Sequence, residues 1–160
     1  RPFNTYGPNI TQPYIIPEIV MQVLGKNSEV HLGNINAERD FTFVSDTANG
    51  IIKALFSKKA IGETINLGSG KSYKIKNIVK LVSSILEKKV TITSNKDRLR
   101  PFDVNKLVCD NRKAKKILNW EPKITFDEGL KNTIGWIKEN NIELRTPFRG
   151  WPKQYRKIRK

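Results

Sequence analysis

Apolar residues recur along this chain with two different periods, and the alternation between those periods sets the expected fold. From Tyr14 to Leu24, the residues Ile15, Ile16, Ile19, Val20, Val23 and Leu24 fall at helical spacing, with Pro17 suited to the first turn and Gly25 to the end. Glu29 to Leu32 and Phe41 to Val44 are short runs bounded by turn residues and read as strands. Asp46 is placed to cap a helix whose apolar face is Ala48, Ile51, Ile52, Leu55 and Phe56. Thr64 to Leu67 reads as a strand ahead of the turn Gly68-Ser69-Gly70. Ile75 to Lys88 reads as an amphipathic helix through Ile75, Ile78, Val79, Val82, Ile85 and Leu86, and Val90 to Thr93 as a strand. Lys106 to Cys109 is a further strand candidate, and Arg112 to Leu118 a short helix stopped by Trp120-Glu121-Pro122. Thr125 to Glu128 has the spacing of a capping box before a helix that buries Leu130, Ile134 and Ile137. Strands alternate with helices, so the expected class is α/β. Periodicity is lost after Asn141, which divides the chain into a folded portion, 1–141, and an extended or weakly ordered basic tail, 142–160.

Composition narrows the function classes. The chain has 160 residues, 38% hydrophobic and 28% charged, which suits one globular domain with a real core. No apolar run approaches the roughly 20 residues that cross a bilayer. A single cysteine, Cys109, excludes an internal disulfide and fits a reducing, cytoplasmic setting; between apolar neighbours it reads as a buried thiol. One histidine, His31, cannot build a His-rich metal site, and no metal ligands are expected. The first residue is Arg rather than Met, which we read as a processed or excised chain. The formal charge of +15 invites a polyanion or nucleic-acid reading. Between Glu143 and Lys160 seven basic residues face one Glu, a net +6, and the remaining +9 is scattered Lys. Scattered Lys is the pattern of a solvated surface, whereas groove readers cluster Arg with polar base-reading side chains.

Two segments carry candidate chemistry. Leu67-Gly68-Ser69-Gly70-Lys71-Ser72 lacks the Gly that a phosphate-binding loop of the P-loop type requires, since Ile65 stands there. It remains a Gly-rich turn able to offer backbone N–H groups to a phosphate. Arg39, ahead of the strand Phe41-Thr42-Phe43-Val44, and the loop Arg98-Leu99-Arg100-Pro101 with Asp103 each offer guanidinium forks that suit a diphosphate.

The opening Arg1-Pro2-Phe3-Asn4-Thr5-Tyr6-Gly7-Pro8 resembles the segment following the catalytic Tyr-x-x-x-Lys helix of extended short-chain dehydrogenase/reductases that act on nucleotide sugars. The resemblance continues in order through Ile15-Ile16-Pro17, Leu32-Gly33-Asn34, Arg39 to Asp46, Gly62 to Gly70, Arg98 to Pro101, Ala114 to Pro122 and Gly129 to Trp136. It is closest to bacterial NAD-dependent 4,6-dehydratases, with 4-epimerases of the same family as the alternative. The implied fold is the C-terminal, substrate-binding portion of a Rossmann-type parent whose dinucleotide-binding core is missing. The resemblance implies substrate contacts at Asn4, Ile15, Val30, Leu32, Arg39, Asn66 and Arg100, and cofactor-side positions at Pro2 and Phe3. It implies NAD or NADP in the intact parent and none held by this portion alone. The implied partners are a nucleotide-diphosphate sugar and an N-terminal dinucleotide-binding domain, in a homodimeric parent with no membrane attachment.

The family's Gly-x-x-Gly-x-x-Gly turn and Tyr-x-x-x-Lys pair are absent from this sequence, so no catalytic residue is assigned. The segments around Phe41 to Phe56 and Thr64 to Leu67 are those that would lie against the other domain, and apolar surface is expected there.

Overall fold

A computed structural model of the protein describes residues 1–9, 14–26, 28–99 and 102–140. The basic tail, Arg100 and Pro101 therefore lie outside the described residues. The larger sheet is built around strand β3 (Glu38–Phe43). Its C-terminal half pairs in parallel with β1 (Asn4–Tyr6), in the register Asn4↔Phe41 to Tyr6↔Phe43. Its N-terminal half is clamped between β4 (Ser72–Lys74), antiparallel, and β6 (Lys106–Leu107), parallel. A smaller parallel sheet joins β2 (Glu29–Leu32) to β5 (Thr91–Ser94).

Strand alternation sends β3 side chains to two environments. On one face Phe41 and Phe43 surround Tyr6, whose ring lies edge-on to both at centroid distances of 6.2 and 5.6 Å. The Tyr6 hydroxyl donates to the Phe126 carbonyl at 3.1 Å, tying β1 to the start of α5 (Phe126–Glu139). This core continues into α1 (Ile15–Leu24) and α3 (Ile75–Ile85) through buried Ile16, Ile19, Val20, Val23, Ile75, Ile78, Val79 and Val82. These are the positions whose helical spacing the sequence displays. Thr125 accepts a hydrogen bond from the Glu128 N–H at 3.3 Å, as the capping-box spacing predicts, and α5 buries Leu130, Ile134 and Ile137.

On the other face of β3, Asp40 is 0% exposed. Its Oδ1 accepts from the Ser69 N–H (2.8 Å) and hydroxyl (2.6 Å), and its Oδ2 from the N–H groups of Gly70 (2.8 Å) and Cys109 (3.0 Å). One buried carboxylate thus gathers two loops that are nearly 40 residues apart in the chain. Gly68 is required beside it, because a Cβ there would stand 2.2 Å from that of Cys109. A second, smaller core unites Ile65, Leu67 and Trp120 with Ala114 and Leu118 of α4 (Arg112–Leu118).

The structure departs from the sequence expectations most clearly in α2 (Val44–Phe56). The helix begins at Val44 with Phe43 at its N-cap, so Asp46 lies inside the first turn and is no cap. Its Oδ2 accepts from the Ile124 N–H at 3.0 Å instead. The buried side of α2 is Asp46, Thr47 and Gly50, and the predicted apolar face, Ala48, Ile51, Ile52, Leu55 and Phe56, is exposed. Gly50 permits this orientation: a Cβ would stand 2.8 Å from a Leu67 methyl and 3.0 Å from the Trp120 indole nitrogen. Smaller differences follow from local geometry. Thr64 to Leu67 forms only a parallel bridge, Pro2↔Leu67, and β6 ends at Leu107 before Cys109. The α3 helix stops at Ile85, ahead of the left-handed Glu87 at φ 54°. β4 is too short to show a period in sequence and is a strand only because β3 supplies its partner.

Because Leu55 (76% exposed) and Phe56 (81%) touch little of the described chain, a Leu55→Gln/Phe56→Gln variant should change unfolding free energy by no more than about 0.5 kcal/mol per site. It should also reduce self-association. Denaturant melts with sedimentation velocity check both; a loss above about 2 kcal/mol would mean the face is buried.

Candidate functional site

A cleft of about 650 Å³ opens where β1, the N-terminal turn of α1 and the end of β2 meet Arg98 and Asp103. Phe3, Asn4, Ile15, Leu32 and Arg39, five of the positions singled out from the sequence, line it together. Arg98 lines it too, so the two arginine-bearing segments converge on one pocket. Val30 does not line the cleft: it is 0% exposed, one strand pitch below Leu32, and belongs to the core beneath. Asn66 also stands outside the cleft lining, half-buried beside Leu67, and Pro2 is exposed in the bridge to that residue. Arg100 lies outside the described residues.

The cleft has an apolar wall and a charged wall. Ile15, Ile16, Pro17, Leu32, Phe41 and Ile75 contribute the first. On the second, Arg39 Nη1 donates to the carbonyls of Glu38 (2.8 Å) and Val104 (2.6 Å), and Nη2 pairs with Asp103. Asp103 accepts a further bond from Asn34 Nδ2 at 3.0 Å. The Arg39 and Asp103 side chains are only 14% and 16% exposed, so this pair is better shielded than an ordinary surface ion pair. A guanidinium carries five N–H donors; among the described residues Nε–H and one Nη2–H of Arg39 have no protein acceptor. Arg98 is held in the same manner, by Glu18 and by the His31 carbonyl. Gly33 lies against its backbone, where a Cβ would stand 2.5 Å from the Arg98 carbonyl oxygen. Asn4 Nδ2 donates to the Asp40 carbonyl at 2.7 Å, which fixes the amide and leaves its oxygen as an acceptor at the cleft.

Sequence reading overlooked Glu18, Asn34 and, as a partner of Arg39, Asp103. Glu18 has the appearance of an acidic residue favoured by a helix N-terminus, and Asn34 of a turn residue. Neither type of signal separates those roles from a place in a cleft.

Two groups with reactive side chains are unsuited to proton or nucleophile chemistry. Burial holds the Tyr6 phenol well above its ordinary pKa, with nearby Tyr73 adding to the effect, and its hydroxyl is turned to the Phe126 carbonyl. Burial, then the Asp40 carboxylate, pushes the Cys109 thiol up to about 11. Among the described residues no group of three or more His, Cys, Asp or Glu could hold a metal ion, and no helix is long and apolar enough to cross a membrane.

Sequence order, sheet pattern and cleft together place the chain in the extended short-chain dehydrogenase/reductase class, whose members here are nucleotide-sugar epimerases and dehydratases. Residues 1–133 match the GDP-mannose 4,6 dehydratase family model, and the chain belongs to that family. It is 37% identical to UDP-glucuronate 4-epimerase of Thermodesulfobacterium geofontis over 148 residues, covering 90% of this chain and 43% of that protein. The fold superposes on Bacillus cereus UDP-glucuronic acid 4-epimerase in complex with UDP-glucuronic acid and NAD, with a TM-score of 0.79 and 28% identity over 88% of this chain and 44% of that one. It also superposes on dTDP-glucose 4,6-dehydratase of Bacillus anthracis in complex with NAD, with a TM-score of 0.76 and 27% identity over 88% and 44%. The chain thus spans less than half the length of these relatives.

With its pKa near 11, Cys109 is a neutral thiol at pH 8, below both its ordinary and its folded value. Iodoacetamide at pH 8 should therefore label the folded chain at least about tenfold more slowly than the denatured chain. Equal rates would show an accessible thiolate.

Proposed function

We propose that this chain is the nucleotide-sugar-binding portion of an NAD(P)-dependent enzyme that acts at C4 of the sugar, either a 4,6-dehydratase or a 4-epimerase. The observation that carries the reading is the convergence of Arg39 and Arg98 on a cleft that also holds Asn4 and the apolar Ile15 and Leu32. A diphosphate would take the outward N–H groups of Arg39, whose fork Asp103 and two carbonyls already hold in place. The base would lie along Leu32 and Ile15, and the sugar toward Asn4 and Phe3. Pre-set donors of this kind favour binding because little side-chain freedom is lost when the ligand arrives. Binding energy gathered away from the reacting carbon then serves to orient it.

NAD(P), when bound, supplies hydride removal from C4 and its later return. Phe3, at the cleft's end beside Asn4, suits the wall of a nicotinamide ring; Pro2 is set back from it. The residues here bind and orient, and the sequence has no Tyr-x-x-x-Lys pair to move the proton, so we infer that this portion alone does not turn over substrate. The exposed face of α2 supports a further domain in the intact protein: Ile51, Ile52, Leu55 and Phe56 form the kind of surface a dinucleotide-binding half would cover. A cytoplasmic homodimer is the setting we infer for the whole. Family membership supports the dehydratase reading and the 37% identical relative the epimerase reading; elimination across C5–C6 or return of hydride to C4 would separate them.

Calorimetric titration with UDP, GDP, dTDP and CDP at two salt concentrations tests the site. One preferred base, with affinity that survives moderate salt, is expected. Equal weak binding to all four that collapses with salt would instead indicate a polyanion binder acting through charge. Arg39→Ala should weaken the preferred ligand by about 10- to 100-fold, the worth of a charge-assisted hydrogen bond; unchanged affinity would remove Arg39 from the site.

A further inference from the structure

We propose that Glu18 is a positioning residue for the cleft, acting through the Arg98 guanidinium. The proposal rests on the reading of the cleft as a nucleotide-sugar site. Glu18 stands in the first turn of α1, and its carboxylate receives the Arg98 guanidinium, with the two side chains 15% and 16% exposed. Gln22 reinforces the contact from the next turn, donating to Glu18 Oε1 at 3.3 Å while its own oxygen accepts from the His31 N–H at 2.7 Å. Arg98 also reaches the His31 carbonyl, so one guanidinium joins α1 to the edge of β2.

Arg98 closes a short turn at the cleft. The turn Lys96–Arg98 is closed by the Asn95 side chain accepting from the Asp97 N–H at 2.9 Å, and by the Arg98 and Leu99 N–H groups bonding back at 3.1 Å each. Its carbonyl rests on Gly33. Five residues further along, Asp103 makes the ion pair that orients Arg39, and the Val104 carbonyl takes another Arg39 N–H. Among the described residues the cleft's cations are thus each held by a carboxylate, Arg98 by Glu18 and Arg39 by Asp103. Among the described lining residues, Arg39 and Arg98 stand against Glu18 and Asp103, one carboxylate beside each guanidinium. Removing Glu18's charge would leave Arg98 partly buried beside a neutral amide, without this carboxylate.

Glu18→Gln keeps the side chain's size and one acceptor while removing the charge. In the full chain, hydrogen–deuterium exchange at the amides of Asp97, Arg98 and Leu99 should rise about tenfold, with Ile78 to Val82 of α3 unchanged as an internal reference. The Kd for the nucleoside diphosphate that the wild type prefers, or for inorganic pyrophosphate if it prefers none, should rise about fivefold through faster dissociation. In an Arg98→Ala background the same substitution should add less than about twofold to either measure. A role confined to the α1 dipole would give the opposite pattern: faster exchange within α1, persisting without Arg98, and this would overturn the proposal. Unchanged exchange at 97–99 would overturn it as well. Raised exchange at 97–99 in a wild type that prefers no nucleotide would retain Glu18 as the anchor and reject the nucleotide-sugar reading.

Discussion

The buried carboxylate of Asp40 takes four hydrogen bonds, from Ser69 twice, Gly70 and Cys109, and the placement of much else follows from it. A carboxylate removed from water is tolerable only when its lone pairs are filled, and here backbone N–H groups of two loops fill most of them. Because side chains alternate along a strand, fixing Asp40 on one face turns its neighbour Arg39 to the other, where it lines the cleft with Phe41. The carbonyl of Asp40 also receives the Asn4 amide, so one residue holds the sheet, two loops and a cleft side chain in register.

The second constraint is steric. Gly50 and Gly68 stand where a Cβ would collide with Leu67 and Trp120 or with Cys109, and they bring α2 and the 68–70 turn against the smaller core. The approach of α2 through its small, polar side is unusual for a helix with a strong apolar stripe. It leaves Ile51, Ile52, Leu55 and Phe56 exposed while Asp46 bonds Ile124 and Trp120 bonds the Asp46 carbonyl. A helix held by hydrogen bonds on one side keeps its apolar side uncovered, in a chain that spans less than half the length of the relatives it matches.

The cleft shows how charge is organised in a protein of net charge +15. Among the described residues its two guanidinium groups are each held by a carboxylate, which orients their N–H groups. An oriented guanidinium fork suits paired oxygens better than a loose positive charge does. The scattered lysines contribute to none of this geometry.

The helices α1, α4 and α5 and the strand β2 were legible in the sequence to within a residue or so, because each carries its own period, cap or stop signal. Ordered short motifs also pointed to the family and to Asn4, Ile15, Leu32 and Arg39, which the structure brings to one cleft. Tertiary structure alone decided which side of α2 is buried, that Ser72–Lys74 is a strand, that Val30 lies beneath the cleft, and that Glu18 and Asp103 hold its arginines. Local sequence determines periodicity and chain reversal, which are properties of neighbouring residues. Partnership between residues 64 or 80 positions apart depends on where the packed backbone places them, and a pattern confined to one segment carries no record of it.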